Sequence, residues 1–251
     1  MSSEQVVDDI VILGRAVPEQ IRNGRVTVCV AGHSDRLGFV RIYPAKITMA
    51  LSLWSIVRVP LERDSRDTRN ESWKIQGSKS EWDTLEKKIE VIGELQLEQR
   101  LDFVTNLVDD CVDDINEAKR SLGIVKPSVK KCYFCQESNF DSTFQSTLFG
   151  GMLPSVKKQY PMFPKIQYRC SKCRASDRHD QTVLEWGFYE WMRKNPDKPQ
   201  QVWENAQLFS PTHECFFLVG NMRDRRTAFL VISILRLQKK SVSQALFPLR
   251  K

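Results

Sequence analysis

Two cysteine pairs, Cys132-Tyr-Phe-Cys135 and Cys170-Ser-Lys-Cys173, constrain this 251-residue chain more than any other feature. Two intervening residues let a tight turn aim both thiolates at one ion, and two such pairs complete a tetrahedral shell. The spacing therefore predicts a zinc ribbon held by Cys132, Cys135, Cys170 and Cys173, with Ser138 to Gly151 as its long loop. Four thiolates leave no position for water or substrate, so the zinc is expected to be structural. Lys130, Lys131, Lys172 and Arg174 flank the pairs, and cations there stabilise thiolates. His179 is a spare ligand, and Cys29, Cys111 and Cys215 read as buried thiols. The competing reading is two unrelated pairs of buried or redox thiols. A thioredoxin-like site is disfavoured because neither pair sits between the strand and helix of a βαβ unit.

The charge is unevenly spread. The net +7 conceals a first half, residues 1 to 125, with 17 Lys and Arg against 21 Asp and Glu. Residues 126 to 251 carry 21 against 10, a balance of +11. A positive field of that kind favours polyanions, nucleic acid above all, although an acidic protein partner would fit it too. Seven cysteines, acids inside the apolar N-terminal run Val6 to Leu13, and no apolar stretch near ~18 residues point to a cytoplasmic protein without a membrane span.

Along the chain, Val6 to Leu13, Arg25 to Ala31, Arg36 to Tyr43 and Trp54 to Leu61 are β-branched runs, with Asn23-Gly24 as a hairpin turn. They predict a small bent sheet or barrel over residues 1 to 78. The following loop places Arg63, Arg66 and Arg69 between acids and ahead of Trp73, which suits phosphate contact and base stacking. A self-paired charge run is the plainer alternative.

Residues 79 to 125 read as a helical segment. Leu97, Leu101, Val104, Val108, Cys111, Ile115, Ala118 and Leu122 recur at spacings of 4 and 3, predicting one long helix with an acidic outer face. Residues 126 to 251 form the basic zinc-ribbon domain. A helix from Asp180 to Arg193, capped by Asp177, is followed by a shorter one after Pro199. Cys215 to Val219 and Thr227 to Leu235 make a terminal hairpin whose tip carries Arg223, Arg225 and Arg226.

The sequence holds no P-loop, no dinucleotide-binding glycine motif, no nucleophile elbow and no His-Glu-x-x-His. The reading is an α+β, zinc-containing protein that binds DNA or RNA through its basic half. Tyr43, Arg63, Arg66, Arg69, Trp73, Lys130, Lys131, Lys172, Arg174, Arg223, Arg225 and Arg226 are its candidate contacts. Two alternatives stay open. One is a metal-dependent nuclease or other nucleic-acid-modifying enzyme using His179, Asp180 and Glu185, or Asp64, Asp67 and Glu71. The other is a protein-interaction subunit that docks through its helices.

Overall fold

The computed structural model describes residues 5–20, 25–136, 162–173 and 178–239. The Asn23-Gly24 turn, the Ser138 to Gly151 loop, Arg174 and Asp177 lie outside these residues. The β-branched runs form strands: β1 Gln5–Arg15, β2 Glu19–Gln20, β3 Val26–Ser34, β4 Gly38–Lys46, β5 Ser55–Arg63 and β6 Ser72–Ile75. Side chains alternate along a strand, so Ile10 and Ile12, Val28 and Val30, Val40 and Ile42, and Val57 and Val59 turn inward together. Burying all of them needs a closed sheet. β1 pairs with both β3 and β5, β4 runs parallel to β6, and the circuit β1-β3-β4-β6-β5 returns to β1. That order, with its single parallel pair, is the topology of an OB-type Greek-key barrel. Trp82 and Leu85, on a 3-10 turn from Trp82 to Lys88, join this barrel's core. β7 Glu90–Glu94 pairs with β5.

The expected long acidic helix is absent, and with it the α+β zinc-ribbon architecture. Its residues fold as α1 Leu97–Thr105, β8 Val108–Asp109, α2 Val112–Glu117 and β9 Leu122–Val125. Of the acids expected on its outer face, Glu98, Asp102, Asp110 and Glu117 are exposed. Asp113 and Asp114 fall in the first turn of α2, where carboxylates meet the positive end of the helix dipole. The Asp109 carboxylate is held by Arg120 and by the backbone N–H of Ile124 while β8 pairs with β9. Val104, Cys111, Ile115 and Leu122 are buried as the heptad spacing required, but two short helices and two strands bury them.

The second half repeats the first topology. β9 runs through Lys126 into β10 Pro127–Gln136, and β11 Met162–Cys170 and β12 His179–Thr182 follow by antiparallel pairing. α3 Trp186–Lys194 and α4 Gln201–Asn205 come next, then the hairpin β13 His213–Asn221 and β14 Phe229–Gln238. Val183 bridges Val231 in parallel, joining the end of β12 to β14, and β13 pairs with β9. The circuit from β10 through β11, β12, β14 and β13 back to β9 thus reproduces the order of the first barrel. Residues from Asp180 to Thr182 are strand rather than helix, because Gln181 and Thr182 are buried against Ile166 and Lys165. No helix among the described residues is long and apolar enough to cross a membrane.

The two barrels share a core in which Leu13, Phe39 and Trp54 pack with Ile124, Phe216, Leu218 and Leu235. Polar contacts then fix their relative position. Arg41, 4% exposed, donates from Nη1 to Asn221 O at 3.0 Å and from Nη2 to Ser121 O at 2.9 Å. Glu71 accepts from the Ser121 N–H at 2.8 Å and from its hydroxyl at 2.7 Å. Gly220 is what lets Arg41 in, since a Cβ there would stand 2.9 Å from a guanidinium nitrogen and 2.5 Å from Ile232.

Glu185 lies at the same junction, bridging Ala16 and accepting from the Ile234 N–H at 2.6 Å. Burial pushes its carboxyl up to about 7 from an ordinary 4.5. A raised folded-state value means that the unfolded chain ionises first. The stability tied to this group is complete below pH about 4.5, declines as pH rises to about 7, and is flat above. Glu185→Gln keeps the acceptor and removes that dependence. It should match the wild type at pH 4.5 and exceed it at pH 8, by up to about 3 kcal/mol in denaturant melts.

Candidate metal centre and basic sheet face

Cys170 and Cys173 meet where β11 ends, and the turn is closed by the Cys173 N–H donating to Cys170 O at 3.4 Å. The partners that reach them are Cys111 and His179. Cys111 caps the N-terminus of α2 and is fully buried. His179 opens β12 opposite Tyr168, with the two rings 5.2 Å apart. The four donor atoms of Cys111, Cys170, Cys173 and His179 all lie within 4.8 Å of one another. His179 Nε2 is 3.3 Å from Cys173 Sγ and 3.6 Å from Cys111 Sγ. Zn–S bonds of ~2.3 Å imply tetrahedral edges of roughly 3.8 Å, so donors grouped this closely could close around one ion as a cage.

Neighbouring contacts hold the cage together. Lys172 donates from Nζ to Asp110 at 2.9 Å, and its backbone N–H meets Asp110 O at 3.4 Å, tying the Cys111 segment to the cysteine turn. Burial lowers the His179 pKa, which favours the neutral imidazole that carries a ligating lone pair. Burial also pushes the Cys170 thiol well up, so its thiolate needs a cation beside it.

Cys132 and Cys135 do not join this group. Both lie within the continuous strand β10, where Cys132 pairs with Ile166 and Cys135 with Phe163, while Cys170 pairs with Pro127. Alternation sends residues three apart to opposite faces of a strand, so these two thiols cannot face one ion. Cys132 packs against the barrel core, and burial raises its thiol to about 11. Cys132 and Cys135, expected as ligands, therefore stand apart from the group that could hold a metal, which brings Cys111 and His179 to Cys170 and Cys173.

The outer face of the β10–β11 sheet carries the basic surface. Its residues include Lys131 and Tyr133 on β10 and Lys165, Gln167 and Arg169 on β11. Lys130, the extra residue of a bulge between Val129 and Lys131, is exposed beside them. The Lys131 and Lys165 ammonium groups lie 5.1 and 5.7 Å from the centre of the Tyr133 ring. The Tyr133 hydroxyl donates to Asp180, which also pairs with Lys165 at 3.2 Å. Lys172 stands at the same end of β11 as Arg169, engaged with Asp110. Sequence reasoning named Lys130, Lys131 and Lys172, and Arg169 among the cations around the second cysteine pair, but missed Tyr133 and Lys165. Their alternation along β10 and β11 was the available signal.

The arginine loop has a different fate. Trp73 is 2% exposed inside the first barrel and the Arg63 guanidinium covers its ring at 3.6 Å, so it offers no stacking face. Arg69 pairs with Asp67 at 2.5 Å and donates to Asn221 O at 2.7 Å, and Arg226 donates to Thr68 at 2.8 Å. The loop and the hairpin tip, both expected to grip phosphate, are instead largely docked on each other. Arg66 is exposed and pairs with Asp64, and Arg225 is partly buried with an interaction of its own. Tyr43, Arg69 and Arg223 do converge, on a cleft of about 200 Å³ between the barrels. The carboxylates weighed for a nuclease are engaged elsewhere: Asp67 by Arg69, Glu71 by Ser121, Asp180 by Tyr133.

Residues 106–250 match a family described as a domain of unknown function, DUF8757, and the chain belongs to that family. Residues 7–106 match a second domain of unknown function, DUF8758. The boundary at 106 separates the two barrels and leaves Cys111 with the other three cage residues. No curated protein matches the chain. Among solved structures, the crystal structure of the tetrameric p202 HIN2 is similar at a TM-score of 0.32 and 6% identity, over 96% of each chain.

Proposed function

We propose that this is a zinc-stabilised protein that binds single-stranded DNA or RNA along the β10–β11 face of its second barrel, in the reducing setting of the cytoplasm. The observation that carries the reading is Tyr133, a ring that the described residues leave partly exposed, with Lys131 and Lys165 beside it. Bases stack on such a ring while phosphates meet the cations around it, and strand faces of OB-type barrels suit that work. The +11 balance of residues 126 to 251 supplies the long-range attraction. Zinc at Cys111, Cys170, Cys173 and His179 holds the start of β12 to the end of β11, and so sets one border of the face. A closed shell of four protein ligands makes this zinc structural. All seven cysteines are free thiols, in keeping with a reducing compartment.

The test is fluorescence anisotropy with labelled single-stranded oligonucleotides at about 50 mM salt. Tyr133→Ala should weaken binding by about 1 to 3 kcal/mol, the range for losing one stacked base. Lys131→Ala with Lys165→Ala should weaken it further without lowering the melting temperature, since neither side chain belongs to the core. Equal affinity in all three proteins would refute the face.

A further inference from the structure

Another cavity, of about 290 Å³, lies between the barrels beside Glu185. Arg15 and Leu53 reach it from the first barrel, and Trp186, Glu190 and Ser233 from the second. Arg15 sets its chemistry. The guanidinium is partly buried 4.7 Å from the centre of the Trp186 ring, and it makes no hydrogen bond or ion pair with any described residue. Burial lowers its pKa with no neighbouring charge to oppose the effect. A cation drawn out of water without a counter-charge is costly, and the ring offsets only part of that cost. The same ring fixes the guanidinium plane, which leaves the N–H edges for a flat acceptor. Ser233, 2% exposed, adds to the wall a hydroxyl without a partner among the described residues. A buried hydroxyl in that position is uncommon and serves as a second donor.

The two acids of the wall do not answer Arg15. Glu190 pairs with Arg193 at 2.8 Å, and Glu185 is held by the Ile234 N–H, with its carboxyl pushed up to about 7 by burial. Below that pH the charge left unbalanced in the cavity is one positive unit. A monoanion matches it, whereas a phosphate ester would set two charges against both acids. A carboxylate meets a guanidinium fork through two parallel hydrogen bonds. Leu53, 40% exposed, and Trp186 add apolar surface beside it. A cavity of ~150 Å³ admits benzene, so about 290 Å³ has room for an aromatic or short-chain acid. We propose that this cavity binds a small organic monocarboxylate, with its carboxylate on Arg15 and Ser233 and its apolar body against Leu53 and Trp186. The site is separate from the sheet face and does not depend on it.

The experiment titrates the full chain with acetate, hexanoate, benzoate and phenyl phosphate, followed by calorimetry. The pH is about 6.5, where Glu185 is mostly protonated and a phosphate ester is mostly doubly charged. Benzoate or hexanoate should bind saturably, and more tightly than acetate, which lacks the apolar body, or phenyl phosphate. Arg15→Gln should weaken the tighter acid about tenfold, the worth of one charge-assisted contact. Leu53→Asp should weaken it too, by setting a like charge beside the ligand, and it changes an exposed position, so that variant stays folded even if Arg15→Gln does not. Arg58→Ala, which removes an exposed arginine of β5 paired with Asp9, should leave the affinity unchanged and so controls for loss of positive charge. The proposal is overturned if neither benzoate nor hexanoate binds saturably, or if phenyl phosphate binds as tightly. It is also overturned if Leu53→Asp and a folded Arg15→Gln bind like the wild type, which would put the ligand elsewhere.

Discussion

On the zinc site proposed above, Cys170→Ser should abolish metal binding and unfold the second barrel. Cys170 sits at the end of β11, 5% exposed, as one of the four grouped donors. Structural zinc is worth roughly 10 to 16 kcal/mol in zinc-finger peptides, as much as the whole stability of an ordinary domain. Losing one of four ligands gives up much of that, and the freed thiols are left in an apolar site that disfavours their thiolates. Cys111→Ser and His179→Ala should behave in the same way. Cys132→Ser and Cys135→Ser should keep one full equivalent of zinc by metal analysis, with at most a modest loss of melting temperature from the core-packed Cys132. Retention of zinc in Cys111→Ser together with its loss in Cys132→Ser would reverse the ligand assignment.

The second large effect is expected at the clamp between the barrels. Glu71→Ala removes the carboxylate that accepts both the N–H and the hydroxyl of Ser121. Arg41→Ala strands the carbonyls of Asn221 and Ser121 and empties the space that Gly220 makes for the guanidinium. Truncating either side chain costs about 1 to 3 kcal/mol, because the neutral backbone and hydroxyl groups left behind stay buried without partners. Either variant should lower stability by that amount in urea melts, and the loss should appear in both barrels because they share a core. An exposed pair such as Arg58 with Asp9 should cost under about 1 kcal/mol when broken, which makes it the control.

The strands of the first barrel could be read from the sequence because period-two burial leaves a direct mark, as at Val57, Val59 and Leu61. The helical region misled because a run of apolar residues spaced by 3 and 4 records which side chains are buried, not the backbone that buries them. Val108 is strand, Cys111 is a helix cap and Leu122 is strand again, yet all four spacings around them suit one helix. Barrel closure was invisible for a different reason. The pairings of β1 with β5 and of Val183 with Val231 join residues far apart in the chain, and no local signal encodes them.

The cysteine and histidine cluster was half legible. Cys-x-x-Cys points two thiolates at one ion only where the chain turns, as it does after Cys170. Lys131-Cys-Tyr-Phe-Cys135 contains no turn former, and its aromatic content favours a strand, which separates the two thiols. That composition was the available warning. Cys111 could not be found from spacing, since it arrives from a separate element before the barrel begins. Arg69 of the arginine loop is engaged within the protein, because guanidinium groups hold two domains together as well as they hold phosphate, and sequence alone does not separate the two uses.

The most direct test of the nucleic-acid reading is the salt dependence of oligonucleotide affinity. Each cation at a phosphate releases condensed counterion, and for single strands the slope of log K against log salt is about −0.7 per contact. Lys130, Lys131, Lys165 and Arg169 together predict a slope near −3 for the wild type. Neutralising Lys131 and Lys165 should bring it to about −1.5, with the fold intact. No binding at about 50 mM salt, or a slope that these substitutions leave unchanged, would contradict the account.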